Sequence, residues 1–445
     1  MRLPKILTRI GVVLLIVAAG VMLARAVLNT TEGRRLARTL AGLKAEGIPL
    51  TVEDLLDPCP DEKNGASLWK AAEELYAFKG EDIKLLNEVY QRFVRGHPVE
   101  TEDWASLGRL IEKNRRVLDL IPEIAGRSCF QYGALDARSW ERKIPDAIKL
   151  IRTVRLWGFE SLRIAENGDV RGALDRLRTG LRFASRCAEE PSLITYLIAL
   201  ANMKTCLLFL NESLSGREAG GELLLPLLGE LDEGLIERRQ ALLKGGIQAE
   251  RVLFLDIGLS TGAKDWASSS WLKGKADKLS YWLIRPLIKR DVERNITIYA
   301  EVESKTATPY SRMRDFWKQY KKRLGDLPWY AVVSKIAIPE MEATFMKGAT
   351  FDALVRTARA GLACRIHKDR TGSYPEALAA LVPELLDEVP TDPFTGEPLV
   401  YRAEGEGFIV YSLGSNLRDD GGRSTWEITQ LVMDKDDDWA WKEDR

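Results

Sequence analysis

An apolar run from Ile10 to Leu28, broken only by Arg25, constrains this chain more than any other segment. About 17–25 apolar residues cross a bilayer as a helix, so such a run must meet lipid or be removed. Arg2, Lys5 and Arg9 precede it, as basic residues precede both an anchor and a signal peptide. Ala24-Arg25-Ala26 offers the second reading a small-x-small cleavage site. The apolar character continues through Val27 and Leu28, and a charge inside that triplet is unusual, which favours a retained transmembrane anchor over residues 1–30. Arg25 then snorkels to the headgroups. Either way the remainder is exported.

The chain has 445 residues, with 65 Lys and Arg against 65 Asp and Glu. A net charge of zero lacks the basic footprint of a nucleic-acid binder. The sum conceals polarity: residues 1–45 hold eight basic residues against Glu32 alone, while residues 419–445 hold nine acids against four bases. Two histidines, His97 and His367, and the absence of Cys-x-x-Cys among Cys59, Cys129, Cys187, Cys206 and Cys364 argue against zinc ribbons and thioredoxin-type redox chemistry. The five cysteines are widely spaced and show no disulfide framework, so mostly buried free thiols are expected.

From Thr51 to about Asp326 the sequence is a succession of helix-period segments. Ile144, Ile148, Ile151, Val154, Leu162 and Ala165 mark one helix, and Asn167-Gly168-Asp169 supplies its stop and the next N-cap. Val170, Ala173, Leu174, Leu177, Leu181, Ala184 and Ala188 form the stripe of a second. Leu193 to Leu210 is apolar almost all round, as suits the middle of a bundle. Trp157 and Ala173 resemble part of a tetratricopeptide unit, but no second copy follows 34 residues on. An irregular helical bundle is the expectation.

Two further segments carry alternatives. Trp266, Trp271, Tyr281, Trp282, Leu283, Ile284, Leu287 and Ile288 interleave with Lys273, Lys275, Lys278, Arg285 and Lys289. That pattern suits a membrane-surface helix or a partner groove, or a core helix with a solvated basic face. Gly258-Leu259-Ser260-Thr261-Gly262 fits the nucleophile elbow of serine hydrolases, with Val252 to Ile257 as its strand and His367 as a later base. The elbow caps a parallel sheet, whereas the 200 residues before it read as helices. A catalytic Ser260–His367 pair is therefore the minor reading, and paired carboxylates such as Glu73-Glu74 belong to solvated helix faces.

At Pro339 the texture changes. Phe351, Val355, Ala358, Leu362 and Ile366 mark a long amphipathic helix stopped at Thr371-Gly372, and a short helix is expected from Pro375 to about Leu386. Thr391 to Gly396 is a turn cluster, Pro398 to Arg402 a strand, Gly405-Glu406-Gly407 a hairpin turn and Phe408 to Ser412 a second strand. This order of parts resembles the globular domain of the major pseudopilins of type II secretion systems over roughly residues 345–440. The residues that carry it are Tyr374-Pro375, Leu378, Leu381, Pro390, Asp392-Pro393-Phe394, Gly396, Tyr401, Ser412-x-Gly414-x-Asn416, Gly421-Gly422 and Asp438-Trp439.

The resemblance implies a structural calcium ion that pins the C-terminal segment onto a small sheet. Calcium takes six to eight oxygen ligands, and Asn416, Asp419, Asp420 and Asp438, or its neighbours Asp436 and Asp437, are the candidates. Asn416 stands where the family has Asp, which weakens the site. Calcium in turn implies an extracytoplasmic domain and a cytoplasmic N-terminus, a choice that the positive-inside rule leaves open because Arg34, Arg35 and Arg38 flank the other end of the run. Pilus assembly is not implied: Gly11 is followed by Val12-Val13-Leu14-Leu15-Ile16 without the family's Glu, and over 300 residues separate anchor and module.

The sequence thus reads as mainly α: a transmembrane helix (1–30), an irregular α-helical domain (31–338) and a pseudopilin-like α+β domain with a short antiparallel sheet (339–445). The expected role is structural or protein-interacting, in a single-pass protein of the cell envelope with protein partners there. The alternatives are an accessory of a type II secretion or pilus-like system, and the hydrolase using Ser260.

Overall fold

The computed structural model describes residues 3–133, 146–187, 189–259, 278–331, 334–335, 338, 341–404, 407–422 and 439–443. They are mainly helical. In chain order the helices are α1 (Leu3–Ala45), α2 (Gly65–Leu75), α3 (Gly80–Val94), α4 (Thr101–Lys113), α5 (Arg115–Leu118) and α6 (Ile121–Gly126). There follow α7 (Ala147–Glu166), α8 (Val170–Arg186), α9 (Leu193–Leu214), α10 (Gly221–Glu230) and α11 (Glu233–Leu259). The last three are α12 (Lys278–Glu303), α13 (Arg314–Gly325) and α14 (Met341–Thr371).

The chain divides into two compact units. One comprises residues 1–55, 247–304 and 318–341, and the other residues 56–246, 305–317 and 342–445. In the first, α1 runs 43 residues without a break, beyond the apolar run, because Leu36, Leu40 and Leu43 continue a helix-spaced stripe. That stripe packs with Leu255, Ile288, Val292 and Ile296 of α11 and α12.

The second unit is built around α7, α8 and α9. Asp146 caps α7 by accepting from the Ile148 and Lys149 amides. Gly168, at φ +93°, turns the chain, and Asp169 caps α8 through the Gly172 amide. Ser192 caps α9, and most of its residues from Thr195 to Leu214 are buried, as expected of a helix inside the bundle; Leu197, Ala201 and Lys204 form a half-buried face and Glu212 is exposed. Phe209 of α9 stacks on Phe93 at 4.7 Å and meets Phe159 edge-on at 5.0 Å. A side chain at residue 158 would collide with the Phe209 ring, so glycine is required where α7 crosses α9.

The C-terminal sheet has three antiparallel strands in the order β1 (Val400–Glu404), β2 (Gly407–Ser412), β3 (Trp439–Glu443). Val400 pairs with Tyr411, and Val410 with Trp441. The first two strands match expectation; the third is new. The Trp441 ring packs against Gly361 of α14, which therefore has no room for a Cβ. The helix expected from Pro375 to Leu386 is corrected to a single 3-10 turn, Leu378–Leu381. Ala377 before it is extended, and Pro383 behind it holds Val382 extended too, so the helix cannot propagate in either direction.

Candidate functional site

Among the described residues, two helices are long and apolar enough to cross a membrane, and burial separates them. α9 has 72% of its most apolar window buried inside the protein, whereas the window in α1 has none. Leu14, Leu15, Ile16 and Leu23 are each more than 60% exposed. At about 1.5 Å per residue, the run from Ile10 to Leu28 is roughly as long as the ~30 Å hydrocarbon layer is thick.

Just where that run ends, α12 joins α1. Arg25 lays its guanidinium over the Trp282 ring at 3.4 Å and donates from Nε to the Trp282 carbonyl at 2.9 Å. The reason lies four residues on. Pro286 sits inside α12 and has no N–H, so the Trp282 carbonyl loses its intrahelical donor, and Arg25 replaces it. Further along, Lys289 donates to Asn29, Arg35 pairs with Glu293 at 3.2 Å, and Thr39 donates to Glu293. The contacts advance along both helices together, so α1 and α12 run parallel. Trp266 and Trp271 lie outside the described residues.

Of the four expected calcium ligands, Asn416, Asp419 and Asp420 lie in the described part of the C-terminal loop, and Asp438 lies outside the described residues. The Tyr411 hydroxyl donates to Asp419 Oδ1 at 2.8 Å, and so does the Gly421 amide at 2.9 Å. These bonds, the hydroxyl's first, hold the Asp419 carboxyl below its ordinary value. Asn416 donates from Nδ2 to Asp420 Oδ2 at 2.9 Å, while its Oδ1 accepts from the Arg418 amide. Asp419 Oδ2 and Asp420 Oδ1 are left without a donor among the described residues. Among the described residues no group of three or more Asp, Glu, His or Cys side chains is placed to hold a metal ion.

The turn before the sheet is tied to the same loop. Asp392, 2% exposed, accepts from the Phe394 amide on one carboxylate oxygen and from the Leu413 amide on the other. Tyr401 donates to the Pro375 carbonyl at 2.7 Å. These roles in holding the module together were carried in the sequence only by the family resemblance.

Ser260 lies outside the described residues, and the strand its hydrolase reading needs is corrected: Val252 to Ile257 is the last part of helix α11. Apolar residues with helical continuation from Glu233 outweigh the local β-branched character. His367 Nδ1 lies 3.0 Å from the Ser373 carbonyl and 3.2 Å from Thr371 Oγ1, closing off the C-terminus of α14.

Sequence reasoning missed a buried ion pair, Arg239 on α11 with Asp352 on α14, bonded through two nitrogens at 3.0 and 2.6 Å. They border a cavity of about 230 Å3 with Tyr310, Arg356 and Asp392. That is below the usual ligand-pocket range of roughly 300–1,000 Å3. Arg356 is also engaged, with Glu233 and the Thr391 carbonyl, so the cavity presents paired charges rather than a poised acid and base. Comparison of the chain with protein-family models, curated proteins and solved structures finds no match to any of them.

Proposed function

We propose that this chain is a single-pass envelope protein, anchored by Ile10 to Leu28 with its N-terminus in the cytoplasm, whose large exported part serves a structural or protein-interaction role. The observation that carries the reading is the contrast between two apolar helices, α9 folded into the protein and α1 bare. A solvent-exposed run of that size has no stable place in water. The disulfide between Cys59 and Cys129 supports the exported side, since structural disulfides persist in oxidising compartments. Alkaline carbonate extraction tests the anchor. The full chain is expected to stay in the membrane pellet, and a version lacking residues 3–28 to move to the supernatant; release of the full chain would refute the anchor.

A second reading, of an accessory to a type II secretion or pilus-like system, rests on the C-terminal module. What supports it is the succession along the chain of a long helix, the Asp392 turn and a small antiparallel sheet. In this reading calcium is held by Asn416, Asp419, Asp420 and Asp438, where it would neutralise adjacent carboxylates and fasten β3. Chelation by EGTA is expected to lower the melting temperature of the module, and added calcium to restore it. Asp419→Asn and Asp420→Asn together are expected to abolish the response, and a melting temperature indifferent to calcium in the unaltered protein removes the ion from the account.

A further inference from the structure

Unmatched apolar surface and unmatched positive charge coincide at one end of the α1–α12 pair. Leu283 and Ile284 are each 41% exposed, beside Trp282 and at the level of Arg25. Around them stand Arg25, Arg285 and Lys289, none of which has an acidic partner among the described residues. The crowding is felt: burial, then repulsion from Arg285 and Arg25, holds the Lys289 ammonium below the ordinary lysine value. Farther along the same pair Arg35 is matched by Glu293 and Arg290 by Glu32. Three cations left together beside exposed apolar side chains fit an anionic partner from outside the chain.

We infer that the first turns of α12 dock on the headgroup layer of the leaflet from which the N-terminal span emerges, with Trp282, Leu283 and Ile284 entering the interface and Arg285 and Lys289 meeting anionic lipid phosphates. This rests on the anchor reading, because that span fixes the height of Arg25 at the membrane boundary. Indole rings concentrate at headgroup level, and the packing of Trp282 on Arg25 puts one there. The Trp282 carbonyl freed by Pro286 is already bonded by Arg25, so no orphaned backbone acceptor opposes entry. Each basic residue close to an anionic surface contributes roughly a fivefold gain in binding.

The test places a nitroxide on the full chain at Ile284→Cys and reads its accessibility to oxygen and to a water-soluble nickel complex in phosphatidylcholine vesicles, with and without phosphatidylglycerol. The native free thiols are buried and stay unlabelled. Val17→Cys reports the span and the exposed Glu81→Cys reports bulk water. The expected result is an oxygen-to-nickel ratio at residue 284 several-fold above that at residue 81 and below that at residue 17, rising with phosphatidylglycerol. Arg285→Gln with Lys289→Gln is expected to reduce the docked population roughly 25-fold on anionic vesicles while leaving the Val17→Cys signal unchanged. A water-like label at 284 with a buried label at 17 overturns docking and leaves the anchor standing. A water-like label at 17 overturns both, and a label at 284 shielded from both reagents means that protein covers the patch and the inference is wrong.

Discussion

Asp352→Ala is expected to lower the stability of the unit that contains it by about 3–5 kcal/mol, measured by urea or guanidinium unfolding. Arg239 is 5% exposed and directs Nε and Nη2 at the two carboxylate oxygens. Removing the carboxylate leaves a guanidinium in a site that no longer compensates it, and that penalty, rather than the lost attraction, sets the size of the effect. Burial lifts the Asp352 carboxyl above its ordinary value, against the opposing pull of Arg239, which shows how little water solvates the pair. The neighbouring cavity tempers this, since water admitted there can reach one face of the guanidinium, so a value near the lower end is expected. Arg239→Met with Asp352→Leu is expected to cost far less than either single change, because no charge is then stranded. A single-mutant cost below about 1 kcal/mol, the level of an exposed ion pair, would mean that Arg239 reaches solvent freely and that the pair does not fasten α11 to α14.

That ion pair marks where sequence reading stops. Elements whose cause is local were legible: the Asn167-Gly168-Asp169 junction encodes both the end of α7 and the cap of α8, and the all-round apolar α9 could only be interior. The strands β1 and β2 were legible because Phe408 to Ser412 and its partner lie within a few residues of each other. What escaped depends on distant partners. Arg25 and Trp282 are 257 positions apart, and Pro286 read alone signals only a damaged helix. Arg239 and Asp352 each look like polar positions on amphipathic helices, with nothing nearby to say that both face inward. β3 follows an acidic run, and its hydrophobic register makes sense only once Gly361 opens a slot for Trp441. The 3-10 turn at Leu378–Leu381 failed in the opposite sense: leucine spacing suggested a helix that Ala377 and Pro383 confine to one turn.

The largest consequence for the exported reading comes from Cys59 and Cys129, whose Cα atoms lie 6.4 Å apart across a separation of 70 residues, within the distance a disulfide spans. The surrounding backbone is already joined. Gly65 donates to the Cys129 carbonyl, Cys129 to the Lys63 carbonyl, and Asn64 exchanges two hydrogen bonds with Gln131. The bond therefore closes a loop that the native state holds anyway, and its benefit falls on the unfolded chain. Loop-closure entropy for about 70 residues gives roughly 4 kcal/mol, and Cys59→Ala with Cys129→Ala is expected to lose most of it while keeping the helical circular dichroism spectrum. Thiol counting gives the independent check. Cys187, Cys206 and Cys364 are buried, and burial pushes the Cys206 thiol up to about 12, so the native fold disfavours the thiolate that maleimide attacks. Maleimide is expected to modify no cysteine in the native protein, three in denaturant and five in denaturant with reductant. Five in denaturant alone, from protein recovered from its own membrane, would show both cysteines reduced and turn the argument for an oxidising compartment against itself.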